Sequence, residues 1–158
     1  KPAKNVGANV IRSIRDALNA PSPLTSEDFV PTADEVTLEQ RAIKLEEQLF
    51  KGEPKGILKP QQVSNLGNSF VRDPVVRAWV RKEAKGICEG CGKPAPFEKD
   101  GRPFLEVHHV KHLAQEGSDR PSNAVALCPN CHRRCHHSSD RDAFTAQLYE
   151  KVGRLEEE

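Results

Sequence analysis

The chain has 158 residues, of which 36% are hydrophobic and 30% charged, with a formal net charge of +1. This suits one ordinary domain, or a small domain with an extension, around a modest core of the kind that a bound metal often staples. No apolar run approaches the ~20 residues of a membrane helix and no secretory signal is visible at the start, which argues against a membrane protein or an exported one. The absence of any Met, including at position 1, points to a fragment or processed chain with further residues ahead of Lys1.

Charge is unevenly distributed. Residues 1–50 carry 6 basic and 8 acidic side chains, 51–137 carry 15 and 9, and 138–158 carry 3 and 6. The basic excess falls on the segment that holds every cysteine and histidine, which suits a polyanionic partner, although a solvated surface of uneven charge gives the same count.

In chain order, Val6, Val10, Ile11, Ile14 and Leu18 predict a helix over 5–20. Pro21, Pro23 and Pro31 mark an irregular linker over 21–36. Thr37 and Gln40 have the form of a capping box opening a helix with Leu38, Ala42, Leu45 and Leu49, ending near Gly52. Residues 51–72 are basic and Gly/Pro-punctuated, and read as a loop across the body in preference to an arm on DNA. Asp73-Pro74 supplies an N-cap and a first-turn proline for a helix with Val75, Val76, Trp79 and Val80 on its apolar face. Its Arg77, Arg81, Lys82 and Lys85 read as a solvated face. Lys99-Asp100-Gly101 predicts a turn, Phe104–Val107 a strand, 112–122 a loop and Ala124–Leu127 a buried strand. Pro129 starts a helix carrying Cys131 to His136. A last helix runs from Asp140 with Phe144, Leu148, Val152 and Leu155 on one face.

The five cysteines are Cys88, Cys91, Cys128, Cys131 and Cys135. An odd number, four of them in C-x-x-C pairs, argues against a secreted disulfide framework and for metal binding in a reducing cytoplasm. The two-residue gap lets both sulfurs of each pair face one ion, so Cys88, Cys91, Cys128 and Cys131 predict a closed, structural zinc site. Cys135 falls outside that set and reads as a packed helix residue.

All six histidines fall between 108 and 137: His108, His109, His112, His132, His136 and His137. Packing does not account for such clustering, which suggests a second metal or acid–base chemistry. His132 and His136 are four apart and share a helix face. Glu106 shares a strand face with His108 and is either an exposed carboxylate or a partner of a metal-bound ring. His112 and His137 read as surface or helix-end residues.

The string from Phe104 to His109, then Asn123, then Cys128-Pro-Asn-Cys131-His132-Arg133-Arg134, resembles the HNH (ββα-metal) endonuclease family, and within it the zinc-containing subgroup of McrA-type restriction endonucleases. The resemblance covers about residues 86–137. It implies a small α+β fold: a ββα-metal core with a four-cysteine zinc site, flanked by helices. It implies that His109 is the general base, that Asn123 orients this base by hydrogen bonding and fixes the loop, and that His108 and His132 hold a catalytic divalent ion. His108 stands where many members have Asp. His136 resembles a further ligand or phosphate contact. Arg133 and Arg134 follow the start of the ligand helix, where at least one of them reads as a phosphate contact in preference to a solvated side chain.

The chemistry of the residues agrees with those roles. Phosphodiester hydrolysis needs a deprotonated water in line with the leaving oxygen and a cation on the phosphate. A neutral imidazole, with a reference pKa near 6.5, accepts that proton near neutral pH. Mg²⁺, Mn²⁺ or, given the imidazole ligands, Ni²⁺ or Co²⁺ would serve.

The expected organisation is a helical extension or linker over 1–72, providing dimerisation or connection to an upstream domain, and a nuclease domain over 73–158. The expected function is metal-dependent DNA cleavage, as the cutting half of a modification-dependent restriction enzyme. Cutting both strands at once needs two modules, which points to a homodimer. The alternatives are a non-catalytic zinc-stabilised DNA-binding module and a metallohydrolase of another substrate.

Overall fold

The computed structural model describes residues 23–48, 50–64 and 68–158. The helix expected over 5–20 and the helix position of Leu49 lie outside them.

After a 3-10 turn (Ser26–Phe29), helix α1 spans Glu35–Glu46. It begins two residues before Thr37, because Asp34 is the cap: its carboxylate accepts the Thr37 N–H at 2.7 Å. It also ends short of Gly52. The described residues of 51–72 carry more regular structure than a plain loop. They contain an antiparallel pair, β1 (Gln62–Ser64) and β2 (Asn68–Phe70), and short bridges tie Ile57 to Asp119 and Thr32 to Arg72.

Helix α2 spans Pro74–Ala84, with the Asp73 carboxylate accepting the Val75 N–H at 2.8 Å. Lys85 and Gly86, at φ 51° and 76°, turn the chain off its end. A small hairpin follows, β3 (Glu98–Lys99) and β4 (Arg102–Pro103). Its two loop residues, Asp100 and Gly101, have φ 53° and 74°, the paired positive values of a type I′ turn. Strand β5 (Glu106–His109) pairs antiparallel with β6 (Ala124–Leu127), with His108 opposite Val125 and His109 opposite Ala124. Helices α3 (Pro129–His137) and α4 (Arg141–Lys151) complete the chain. The result is the α+β arrangement of a β-pair and helix with flanking helices. Among the described residues no helix is long and apolar enough to cross a membrane.

The main core forms where β6, buried at all four positions, meets Val76, Val80 and Ala84 of α2 and Phe144 and Leu148 of α4. Each large apolar side chain there contributes about 1.5–3 kcal/mol on burial. Helix α1 covers the other side of α2 through Ala42, Leu45 and Ala78. Arg77 and Arg81 do not form a solvated face, because α1 presents carboxylates to them. Arg77 meets Glu35 at 2.6 Å and Glu39 at 2.9 Å, and Arg81 meets Glu39 at 2.7 Å.

Candidate metal and hydrolytic site

Helix α3 is flanked by two clusters of metal-ligating side chains. The first brings together Cys88, Cys91, Cys128 and Cys131, whose sulfurs all lie within 4.8 Å of one another. Cys88 and Cys91 sit on a knuckle closed by Cys88 N to Lys93 O and Gly92 N to Cys88 O, both 2.8 Å. Cys128 caps α3 and donates its N–H to the Cys88 sulfur at 3.2 Å, and Cys131 follows in the first helical turn. Gly90 is required inside the knuckle, since a Cβ there would stand 2.8 Å from the Phe144 ring.

The donor set fits a soft dication. Burial raises the Cys88 thiol, but N–H bonds from Cys128, Cys91 and Gly90 outweigh it and leave the thiol below its ordinary value. Burial and neighbouring sulfurs push Cys131 up, a repulsion that a bound cation reverses. The four cysteines could therefore hold zinc. Cys135 stands apart, 6% exposed within the core, and burial raises it to about 11.

The second cluster is His108 of β5 with His132 and His136 of α3, again with ligand atoms within 4.8 Å. The Nε2 atoms of His132 and His136 approach to 3.1 Å, a separation that two ligands of one ion would fit. The Glu106 carboxylate accepts from His132 Nδ1 at 2.8 Å, which leaves Nε2 free to ligate. His108 is 5% exposed, and burial followed by the neighbouring imidazoles pushes it down to about 3. His136 is lowered by the same causes. Both therefore remain neutral, which is the ligating form of imidazole. These three rings fit a divalent ion and leave coordination positions for oxygen ligands. His112, expected at the surface, instead packs edge-on to His108 with ring centres 5.6 Å apart and lies 5.0 Å from the His136 ring. His137 is exposed, at 3.4 Å from Arg133.

His109, the next residue on β5, meets a different partner. Its Nε2 lies 2.8 Å from Asp119 Oδ1. The Asn123 side chain makes its hydrogen bonds elsewhere and none to the His109 ring, which corrects the expectation that it orients that ring by hydrogen bonding. Its amide oxygen accepts the Lys111 N–H at 2.8 Å, and its NH₂ donates to Lys111 O at 2.9 Å and Ser118 O at 2.8 Å. These bonds tie down the loop between β5 and β6, and an Asn with three partners has little left to offer a base.

The sequence reading missed Asp119. In a Gly-Ser-Asp stretch it reads as a turn former, and no periodicity links it to His109. Arg133 and Arg134 differ in their surroundings, and Arg134 is the one held by other side chains. It is bound by Asp140, at 2.5 Å from Nη2, and lies over the Phe144 ring at 4.2 Å. Its guanidinium thus serves the α3–α4 packing, whereas Arg133 is exposed.

The HNH endonuclease family model matches residues 88–138, a span that contains both clusters, His109 and Asn123. The type IV methyl-directed restriction enzyme EcoKMcrA of Escherichia coli (strain K12) is 47% identical over 132 residues, covering 83% of this chain and 47% of the relative. The chain thus spans about half the length of that curated relative. The solved structure of the type IV phosphorothioation-dependent restriction endonuclease ScoMcrA aligns over 87% of this chain and 24% of its own, at 29% identity and a TM-score of 0.49.

Proposed function

We propose, from the premise that this chain carries an HNH endonuclease domain, that it is the DNA-cutting part of a modification-dependent restriction enzyme. The observation that carries the reading is the convergence of His108, His132 and His136 on one point beside a four-cysteine cluster. Residues 73–158 form the cutting domain in this reading, and the described residues of 23–72 are its extension. The share of the relative that this chain does not span leaves room for a separate module that reads the modified base.

His108, His132 and His136 hold the catalytic divalent ion (Mg²⁺, Mn²⁺, Ni²⁺ or Co²⁺), which when bound supplies positive charge at the scissile phosphate. Cys88, Cys91, Cys128 and Cys131 hold zinc, whose four sulfur ligands leave no open position for chemistry. His109 takes the proton of the attacking water on Nδ1, because Asp119 occupies Nε2. Asn123 keeps the loop behind His109 closed, and exposed Arg133 contacts a phosphate. Cleavage of both strands at once uses two copies of the chain. The five unpaired cysteines suit the reducing cytoplasm in which such an enzyme meets foreign DNA.

The test is plasmid cleavage by the purified chain and its His109→Ala variant, in EDTA and then in each divalent ion. The expected result is metal-dependent nicking that falls by about 10²–10⁴-fold in His109→Ala, while the variant retains its zinc. DNA binding without cleavage under every ion and methylation state would replace the nuclease reading with a zinc-stabilised binding module.

A further inference from the structure

We infer that Asp119 is the positioning residue of the His109 ring, and that Gly56, Ile57 and Asp73 hold it in place from outside the cysteine–histidine module. The role assigned to the ring rests on the function proposed above, but the geometry stands on its own.

The Asp119 side chain is 3% exposed, and its two oxygens are divided between two partners. Oδ1 meets His109 Nε2 at 2.8 Å, and Oδ2 accepts the backbone N–H of Asp73 at 2.5 Å. The backbone of Asp119 is fixed independently. Its N–H donates to Ile57 O and its carbonyl accepts from Ile57 N, both at 2.7 Å. Gly56 makes this approach possible. It has φ +62°, and a Cβ on it would stand 2.1 Å from Asp119 O and 2.9 Å from Arg120 Cα.

Each contact constrains the next. The bridge to Ile57 sets the loop backbone, and the Asp73 N–H, just ahead of α2, sets the carboxylate plane. The carboxylate then sets the ring. An ionised carboxylate only accepts, so the His109 nitrogen facing it carries the hydrogen. The lone pair is left on Nδ1, as a proton acceptor requires. Residues 56, 57 and 73 thereby become parts of the site, although the family match begins at residue 88.

Asp119→Asn discriminates sharply. The Asp73 N–H can only donate, so the amide oxygen must face it, and the amide NH₂ must then face His109 Nε2. The ring is forced into the opposite tautomer. The measurement is ¹⁵N NMR of the imidazole nitrogens in the zinc-loaded full chain at pH 8, with plasmid cleavage alongside. The expected results are Nε2–H in the parent, Nδ1–H in Asp119→Asn, and kcat lowered by about 10²–10⁴-fold with KM little changed. Gly56→Ala should lower kcat in the same direction while the chain keeps its zinc.

A parent ring protonated on Nδ1 overturns the inference, as does a tautomer that Asp119→Asn leaves unmoved. If Asp119→Asn does not fold, the parent tautomer alone decides. A tautomer that inverts with cleavage unchanged leaves Asp119 as the holder of the ring and removes His109 from the base role. The hold on the ring and the proposed function can thus fail separately.

Discussion

The two clusters around α3 differ in what the protein leaves open. The cysteine cluster draws four ligands from two chain segments, a knuckle at 88–91 and the β6–α3 junction at 128–131, and presents four sulfurs to one point. The histidine cluster draws three imidazoles from a strand and a helix face, one of them supported by Glu106. Four protein ligands close a tetrahedron, whereas three imidazoles leave positions for substrate and water. The same helix thus carries a cluster suited to holding the fold and, one turn on, a cluster suited to chemistry. The difference lies in ligand number and softness, since burial does not separate them: His108 is as buried as Cys131.

The comparison breaks first under metal removal. Chelation strong enough to strip the cysteine cluster, or Cys88→Ser, should unfold residues 73–158 cooperatively in circular dichroism, because structural zinc supplies roughly 10–16 kcal/mol of apparent binding energy to small metal-held folds. His132→Ala should instead retain the fold and one equivalent of zinc by atomic absorption, and lose cleavage by at least about 100-fold, as several kcal/mol of charge stabilisation at the phosphate disappear. If both substitutions unfold the chain, the division of labour between the clusters is wrong.

Smaller effects sharpen the contrast. Glu106→Gln should weaken Mn²⁺ or Co²⁺ binding by about 10- to 100-fold in calorimetry and leave zinc content unchanged, because the Glu106 carboxylate bonds the ring of His132 and none of the cysteines. Gly90→Ala should lower the melting temperature by several degrees through overpacking of about 1–3 kcal/mol, because its Cβ meets Phe144 at 2.8 Å and Leu127 at 3.1 Å.

Acid should act through the histidine cluster. Unfolded, the His108 imidazole takes up its proton near 6.5, but folded only at about 3. Between those values the unfolded chain holds the extra proton, so stability falls as pH drops through that window and is unaffected above it. Denaturant titrations of the His108→Gln variant should lose that part of the pH dependence.

The sequence by itself determined the module that carries the chemistry. C-x-x-C spacing, the histidine pair on β5 and the i, i+4 pair on α3 are local patterns, and metal ligation depends on local spacing more than on the rest of the fold. Helix α2 was legible from Asp73-Pro74, and the hairpin turn from Asp100-Gly101, because caps and turns are written in adjacent residues. Tertiary structure decided what depends on distant chain segments. Arg77 and Arg81 read as solvated until α1 places Glu35 and Glu39 against them. His112 joins the histidine cluster only through the path of the β5–β6 loop. The partner of His109 is Asp119, ten residues on, and it is held by Ile57 and Asp73 from still further away. Spacing in the sequence encodes which side chains can share a metal, but which carboxylate reaches a histidine is fixed only once loops and helix ends have packed.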